Sequence, residues 1–257
     1  WGIVLLPRAK RLALAALYAF ARRVDDIADD PLLEPGERRR RLEELDRALD
    51  EPPADPVLVA LADARRRYAI PAEALHDLVR GGVMDAERTR YASWDELREY
   101  CRCVAGSVGV ACTAVYRPSQ PERARRPAET LGLALQQINI MRDVAEDWRL
   151  GRVYLPQDEL ARYGVSEADI AAGRTGRAWR ELMDAQAARA DALLREGLEL
   201  LPLLDLRSRL CVRAFAGIYR GLLVQMGARD YDVFRGRASL SPVAKVRAVA
   251  TLGNGSR

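Results

Sequence analysis

Histidine is almost missing from this chain, and cysteine is too scattered to build a metal centre. One histidine, His76, and four cysteines, Cys101, Cys103, Cys112 and Cys211, occur in 257 residues. No CxxC pair and no Cys/His spacing suits zinc, which excludes a structural zinc site. Scattered thiols without a pairing pattern are expected to be reduced, as in a cytoplasmic protein. No apolar run approaches the roughly 18 residues a membrane-spanning helix needs, and no secretory leader is visible. An excess of one charge is also lacking: 41 basic and 37 acidic residues leave a net charge of +4. That is too mild for a nucleic-acid partner. It suits an anionic substrate, or peripheral contact with the anionic inner face of a membrane. Alternating strand patterns are absent, and no glycine-rich dinucleotide fingerprint appears, so no NADPH site is recognised.

What is present is helix punctuation. Pro7 precedes a first helix that runs to about Asp30, and Pro35 to Asp50 forms a charged amphipathic helix. Asp55 is placed to cap Pro56–Tyr68, and Pro71 opens a helix reaching Gly81-Gly82 or slightly beyond. Ser93-Trp94-Asp95-Glu96 has the form of a capping box and starts a long helix containing Gly106 and Gly109. A polar break at Arg117 to Arg126 precedes another long helix, and three more follow the loop Gly151 to Pro156. The pattern predicts one all-α domain over residues 1–257, with eight to ten helices around a central cavity. The chain opens at Trp1 without an initiator Met, so a short native N-terminal segment is expected to be missing.

Two of these helices carry acids on otherwise apolar surroundings. LALAALYAFARRVDDIADD, from Leu12, places Tyr18, Arg22, Asp25 with Asp26, and Asp29 along one stripe. LGLALQQINIMRDVAED, from Leu131, does the same with Gln136, Asn139, Asp143 and Asp147. A single DxxxD on a helix is ordinarily a solvated face. Two on apolar helices, sharing their stripes with Asn, Gln and Arg, are costly to bury unless cations compensate them. The pairs Asp25/Asp29 and Asp143/Asp147 are each separated by about 6 Å of helical rise, close enough to reach around one ligand. Such hard oxygen donors suit Mg²⁺ bridging to a phosphate-bearing substrate, with Asn139 adding a neutral oxygen. Arg22 and Arg152 can fork onto phosphate oxygens. Asp85 is a weaker candidate for a further polar contact.

Taken together, YAFARRVDDIADD, YCRCVAGSVG, QQINIMRDVAED and GRVYLP resemble the squalene/phytoene synthases. The resemblance spans nearly the whole chain. It implies the all-α isoprenoid synthase fold, with divalent metal (Mg²⁺, or Mn²⁺ in its place) bridging a prenyl diphosphate to two aspartate-rich motifs. Carried over by position, it implies Asp25, Asp29, Asn139, Asp143 and Asp147 as metal ligands. It implies Tyr18, Arg22, Asp26, Gln136, Arg142, Arg152 and Tyr219 as substrate contacts, with Arg22 and Tyr219 acting in catalysis as well. Two departures stand out: Arg102 and Cys103 occupy positions where relatives often have tyrosine, and the N-terminal Ser/Phe/Tyr segment is absent. The VDDIADD variant points first to head-to-head condensation of two farnesyl diphosphates into presqualene diphosphate, in a hopanoid-type pathway. Phytoene synthesis from geranylgeranyl diphosphate ranks second, and a non-catalytic scaffold on the same fold is the rival of another class. A terpene cyclase would carry a different second motif. Oligomeric state is not legible.

Overall fold

The computed structural model describes residues 2–53 and 55–251, and the helix signals in the sequence account for most of it. Twelve α-helices are seen among these residues: α1 (Arg8–Ala28), α2 (Pro35–Ala48), α3 (Pro56–Tyr68), α4 (Ala72–Glu87), α5 (Trp94–Cys101), α6 (Ser107–Tyr116), α7 (Pro121–Arg149), α8 (Gln157–Tyr163), α9 (Glu167–Ala171), α10 (Arg177–Gly197), α11 (Leu206–Gly227) and α12 (Pro242–Thr251). A π-helical turn, Arg102–Gly106, joins α5 to α6, and 3₁₀ turns span Gly2–Leu5 and Leu198–Leu203. The fold is all-α. Among the described residues β pairing is confined to one bridge, Arg90 with Val153.

The expected caps form. Asp55 Oδ1 accepts from the backbone N–H of Val57 at 2.9 Å and Leu58 at 3.1 Å, which holds the first turn of α3. Ser93 Oγ accepts from Glu96 N–H, but the Glu96 carboxylate reaches back to Ala92 N–H rather than to Ser93. Three expectations need correction. The polar break is shorter than Arg117 to Arg126: α7 begins at Pro121, whose fixed φ suits the first helical position, and it continues through Pro127. Helix α4 runs beyond its glycine pair by more than the slight extension expected, to Glu87, carrying Asp85 one turn further. Gly82 is a point of close approach there, since a Cβ would collide with Val24 of α1. The expected eight to ten helices become twelve among the described residues, because α8 and α9 are below the length that periodicity reveals.

Two apolar clusters share α7. Ala124, Ala128, Leu131 and Ala134 of its first half pack into a cluster with α1, α2, α3, α4 and α6. Leu133, Ile138, Ile140, Met141 and Val144 pack into a second with α5, α8, α10 and α11. The acid-bearing stretch of α7 thus lies where the two meet, facing the C-terminal end of α1. The close crossing of α7 over the π turn depends on Gly132, where a Cβ would strike the backbone carbonyl of Ala105. Gly132→Val should therefore destabilise the protein by about 3 kcal/mol. Calorimetry would show a melting temperature lower by roughly 6–12 °C, and an unchanged value would remove this crossing as a constraint.

Candidate active site

Asp25 and Asp29 at the end of α1 face Gln136, Asn139, Asp143 and Asp147 on α7 across a cavity of about 400 Å³. α1 buries the line Leu17, Phe20, Val24 and Ala28, and Asp25 and Asp29 adjoin that line. Asp85 of α4, Tyr100 of α5, Val104 of the π turn, Arg152 and Tyr154 of the loop after α7, and Arg237 complete the walls. That loop is pinned by backbone bonds: Arg152 N–H donates to Asp147 O at 2.8 Å and Val153 N–H to Thr89 O at 2.9 Å. The buried Arg152 guanidinium spans the cavity base, 2.7 Å from Asp29 Oδ1 and 3.4 Å from Asp85 Oδ2. Arg142 forks onto Asp143 at 2.8 and 2.6 Å, and Arg237 forks onto the same carboxylate at 2.8 and 2.9 Å.

The acids experience these surroundings differently. Burial, together with the charges of Asp29 and Asp85, pushes Asp25 up to about 6. Burial, Asp143 and Asp85 push Asp147 up to about 7. Asp85 is raised as well, chiefly by burial, against the pull of Arg152 and of the phenol of Tyr154, which donates to it. Burial acts on Asp143 too, but the two arginine forks outweigh it and hold its carboxyl below the usual range. Asp25 and Asp147 are therefore the under-compensated acids. Beside them, Asn139 donates through Nδ2 to Gln136 Oε1 at 3.3 Å, while its Oδ1 is buried without a partner. A buried carbonyl oxygen left bare is costly. A divalent cation would satisfy it and offset the repulsion at Asp25 and Asp147, so the donor set fits such an ion. Among the described residues no group of three acid, histidine or cysteine side chains could hold an ion by itself; Mg²⁺ ordinarily takes one or two carboxylates, with phosphate oxygens and water completing its shell.

Not every expected residue reaches the cavity. The α7 stripe does so in full, with Arg142 added. The α1 stripe splits. Tyr18 is 72% exposed, and Arg22 pairs with Asp26 at 2.8 Å with both side chains more than half exposed on the helix's outer flank. Tyr219 packs, half buried, against the second apolar cluster and lies outside the lining. Phenols reach the cavity from other positions: Tyr100 and Tyr154 line it and stack with ring centroids 5.3 Å apart. Arg102 instead forks onto Asp77 at 2.6 and 2.9 Å, and Cys103 is buried, its thiol lifted by burial to about 11. Arg237 was missed because it lies in a loop, where no periodicity marks it. Tyr100 had a signal, one helical turn before Val104 on the same face.

The squalene/phytoene synthase family model matches residues 1–244. The chain belongs to the squalene/phytoene synthase family. Phytoene synthase of Mycobacterium tuberculosis is 42% identical over 259 residues, covering 97% of this chain and 84% of its own length. Phytoene synthase 1 of Arabidopsis thaliana is 38% identical, covering 96% and 61%. A dehydrosqualene synthase in complex with ligand superposes with a TM-score of 0.89 at 30% identity, covering 98% of this chain and 89% of that one. The squalene synthase HpnC of Alicyclobacillus acidocaldarius gives 0.83 at 27%, covering 90% and 88%. The fold is thus that of the isoprenoid synthases, and this family member is an enzyme that transfers prenyl groups head to head.

The acid repulsion has a measurable sign. Asp147 titrates near 7 in the folded protein and near 3.9 when unfolded, so the fold binds its proton more tightly. The favourable contribution is complete below about pH 4 and is lost as pH rises through 7. In metal-free protein Asp147→Asn should raise stability by on the order of 2 kcal/mol at pH 8 and by nothing near pH 4. Chemical denaturation at both pH values checks this, and a destabilised variant at pH 8 would contradict it.

Proposed function

We propose that this enzyme condenses two geranylgeranyl diphosphates head to head into phytoene. The observation that carries the prenyl-diphosphate reading is the facing pair of aspartate stripes, with the bare Asn139 oxygen one helical turn from the Asp143 carboxylate that two arginines fork onto. The chain length rests on the relatives of highest identity quoted above, which bear the name phytoene synthase. The sequence alone ranked farnesyl diphosphate first, and the resemblance to a dehydrosqualene synthase fold keeps presqualene diphosphate as the second reading.

In this reading Asp25, Asp29, Asn139, Asp143 and Asp147 hold divalent metal, Mg²⁺ or Mn²⁺, which supplies positive charge to the diphosphate leaving group. Arg142 and Arg237 turn from Asp143 to the diphosphate oxygens and stabilise the negative charge that grows as the carbon–oxygen bond breaks. Gln136 adds a neutral donor beside them. Arg152 stays on Asp29 and Asp85, fixing the base of the site. Val24, Ala28, Leu78, Val104 and Ile140 exclude water from the allylic cation. The double bond of the second substrate attacks that cation, and ring closure to the cyclopropane releases one proton. Tyr100 and Tyr154 offer a route for it. Tyr100 O–H points to Tyr154 O at 3.5 Å, and Tyr154 O–H donates to Asp85, whose raised pKa makes it a competent acceptor. Tyr18, Arg22, Asp26 and Tyr219 take part here only if substrate draws them inward. The whole chain acts as one domain, since both apolar clusters share α7. No helix among the described residues is long and apolar enough to cross a membrane.

Incubation with Mg²⁺ and either C15 or C20 diphosphate, without NADPH, followed by mass analysis, tests the assignment. A C40 hydrocarbon from geranylgeranyl diphosphate is expected, with Asp143→Asn slower on the order of 10²-fold or more. A C30 product from farnesyl diphosphate alone would move the assignment to the presqualene reading. No product from either would overturn both.

A further inference from the structure

Helix α11 ends at Gly227, and the chain beyond it makes a costly reversal. Asp230 and Tyr231 both adopt positive φ, 51° and 56°. One left-handed residue, usually glycine, is enough to stop a helix. Two in succession, neither of them glycine, are strained and persist only where the surroundings over-determine them. Here they do. The Tyr231 side chain is buried, and its Oη–H donates to Asp184 Oδ1 of α10 at 2.7 Å. Its carbonyl accepts from Nε1–H of the buried Trp179 at 3.0 Å, and its N–H donates to Met226 O at 2.9 Å. Three residues on, Phe234 packs on the Trp179 ring with centroids 5.2 Å apart. It also lies against Gly173, where a Cβ would come within 3.2 Å of Phe234 Cβ.

This reversal turns the chain back over the cavity, where Arg237 forks onto Asp143. Just past Arg237 the chain is tied down again. Ala238 is buried, and Gln225 Nε2 of α11 donates to Ser239 O at 3.1 Å. Leu240 packs over Gly221, where a Cβ would come within 2.8 Å of Leu240 Cδ1. Arg237 therefore stands between two fixings, three residues after Phe234 and one before Ala238. It belongs to no helix, and its side chain is 57% exposed, so these ties rather than packing set its place. A cation on a slack loop loses freedom each time it meets a ligand. One on a fixed backbone is already aimed.

We propose that Trp179, Asp184, Tyr231 and Phe234 are positioning residues for Arg237. None of the four lines the acid cavity. They hold the Arg237 backbone still, so its guanidinium passes from Asp143 to an incoming anion by a side-chain swing rather than a loop closure. The strain at Asp230 and Tyr231 is the cost of bringing the chain back to that spot. That the anion is a prenyl diphosphate rests on the reading above; the anchor itself does not.

Trypsin nicking after Arg235 or Arg237, followed by mass analysis, reads the anchor in ligand-free protein. Tyr231→Phe and Asp184→Ala should each be nicked about fivefold faster than the parent or more. Asp184→Asn keeps an acceptor for the phenol and should stay close to the parent rate. Steady-state kinetics with the prenyl diphosphate that is turned over reads the positioning. Tyr231→Phe should lower kcat roughly fivefold to tenfold with KM little changed. In the Arg237→Ala background it should lower kcat no further, because the residue it positions is gone. Circular dichroism of each variant confirms that it is folded. Unchanged nicking of Tyr231→Phe and Asp184→Ala would overturn the anchor. An equal fall in kcat with Arg237 and without it would overturn the positioning role and leave only a structural one. A chain that turns over neither C15 nor C20 diphosphate would sink the enzymatic reading, and nicking would still decide the anchor.

Discussion

Six carboxylates, Asp25, Asp29, Asp85, Asp143, Glu146 and Asp147, line one cavity against three arginines, Arg142, Arg152 and Arg237. The rest of the site follows from that imbalance. Where an arginine fork reaches, as at Asp143, the acid stays strongly ionised; where none does, as at Asp25 and Asp147, burial and neighbouring charge raise the pKa. A fold selected only for stability would not keep such a cluster, because replacing buried charge with apolar groups usually costs nothing or helps. The cavity is better understood as a receptor missing positive charge. In the proposed reading, divalent metal held by the aspartates and Asn139 would supply that charge, and a bound diphosphate would give the arginines an alternative to Asp143.

The scaffold serves this charge in two ways. It sets the acids on α1 and α7, long helices whose opposite faces are locked into the two apolar clusters, so neither stripe can rotate away from the cavity. It also pins the segment after α7 that carries Arg152 and Tyr154. Besides the backbone bond from Val153 to Thr89, Arg90 Nη1 donates to Gly151 O at 2.7 Å and its other nitrogens grip Glu167. Behind α7 a buried chain of polar groups continues the support: Gln137 Nε2 donates to Gln186 Oε1 at 2.9 Å, and Gln186 in turn to Glu159. Arg189 grips the same Glu159 and lies over the Trp94 ring at 4.3 Å. This chain fixes the helix face adjoining Gln136, and so the register of the acids one and two turns later.

Helical periodicity made the α7 stripe legible, because spacing of three and four is all that is needed to put Gln136, Asn139, Asp143 and Asp147 on one face. The same rule over-reached on α1. It groups Tyr18, Arg22 and Asp26 with Asp25, yet which flank is covered depends on the helices packed beside it, and those are not written in the spacing. Asp85 was undervalued because a glycine pair resembles a helix end, whereas Gly82 here accommodates Val24. Tyr100 stands one helical turn before Val104 rather than beside it, so only the helix face, and not the adjacent sequence, links the two. Arg237 follows a bend in which Asp230 and Tyr231 both adopt positive φ, and only the folded chain brings it to Asp143. Local rules recovered the acids; the arginine and phenols that temper them belong to tertiary structure.

In the proposed reading the cavity lacks positive charge until metal and diphosphate arrive together. Thermal denaturation with Mg²⁺ alone, with inorganic diphosphate alone and with both tests it most directly. Diphosphate alone meets uncompensated aspartates, and Mg²⁺ alone must complete its shell with water while the two arginines stay on Asp143, so each should shift the melting temperature less than the two together. Together they should raise it by clearly more than the sum of the separate shifts. Shifts that merely add, or no shift with both present, would contradict the account.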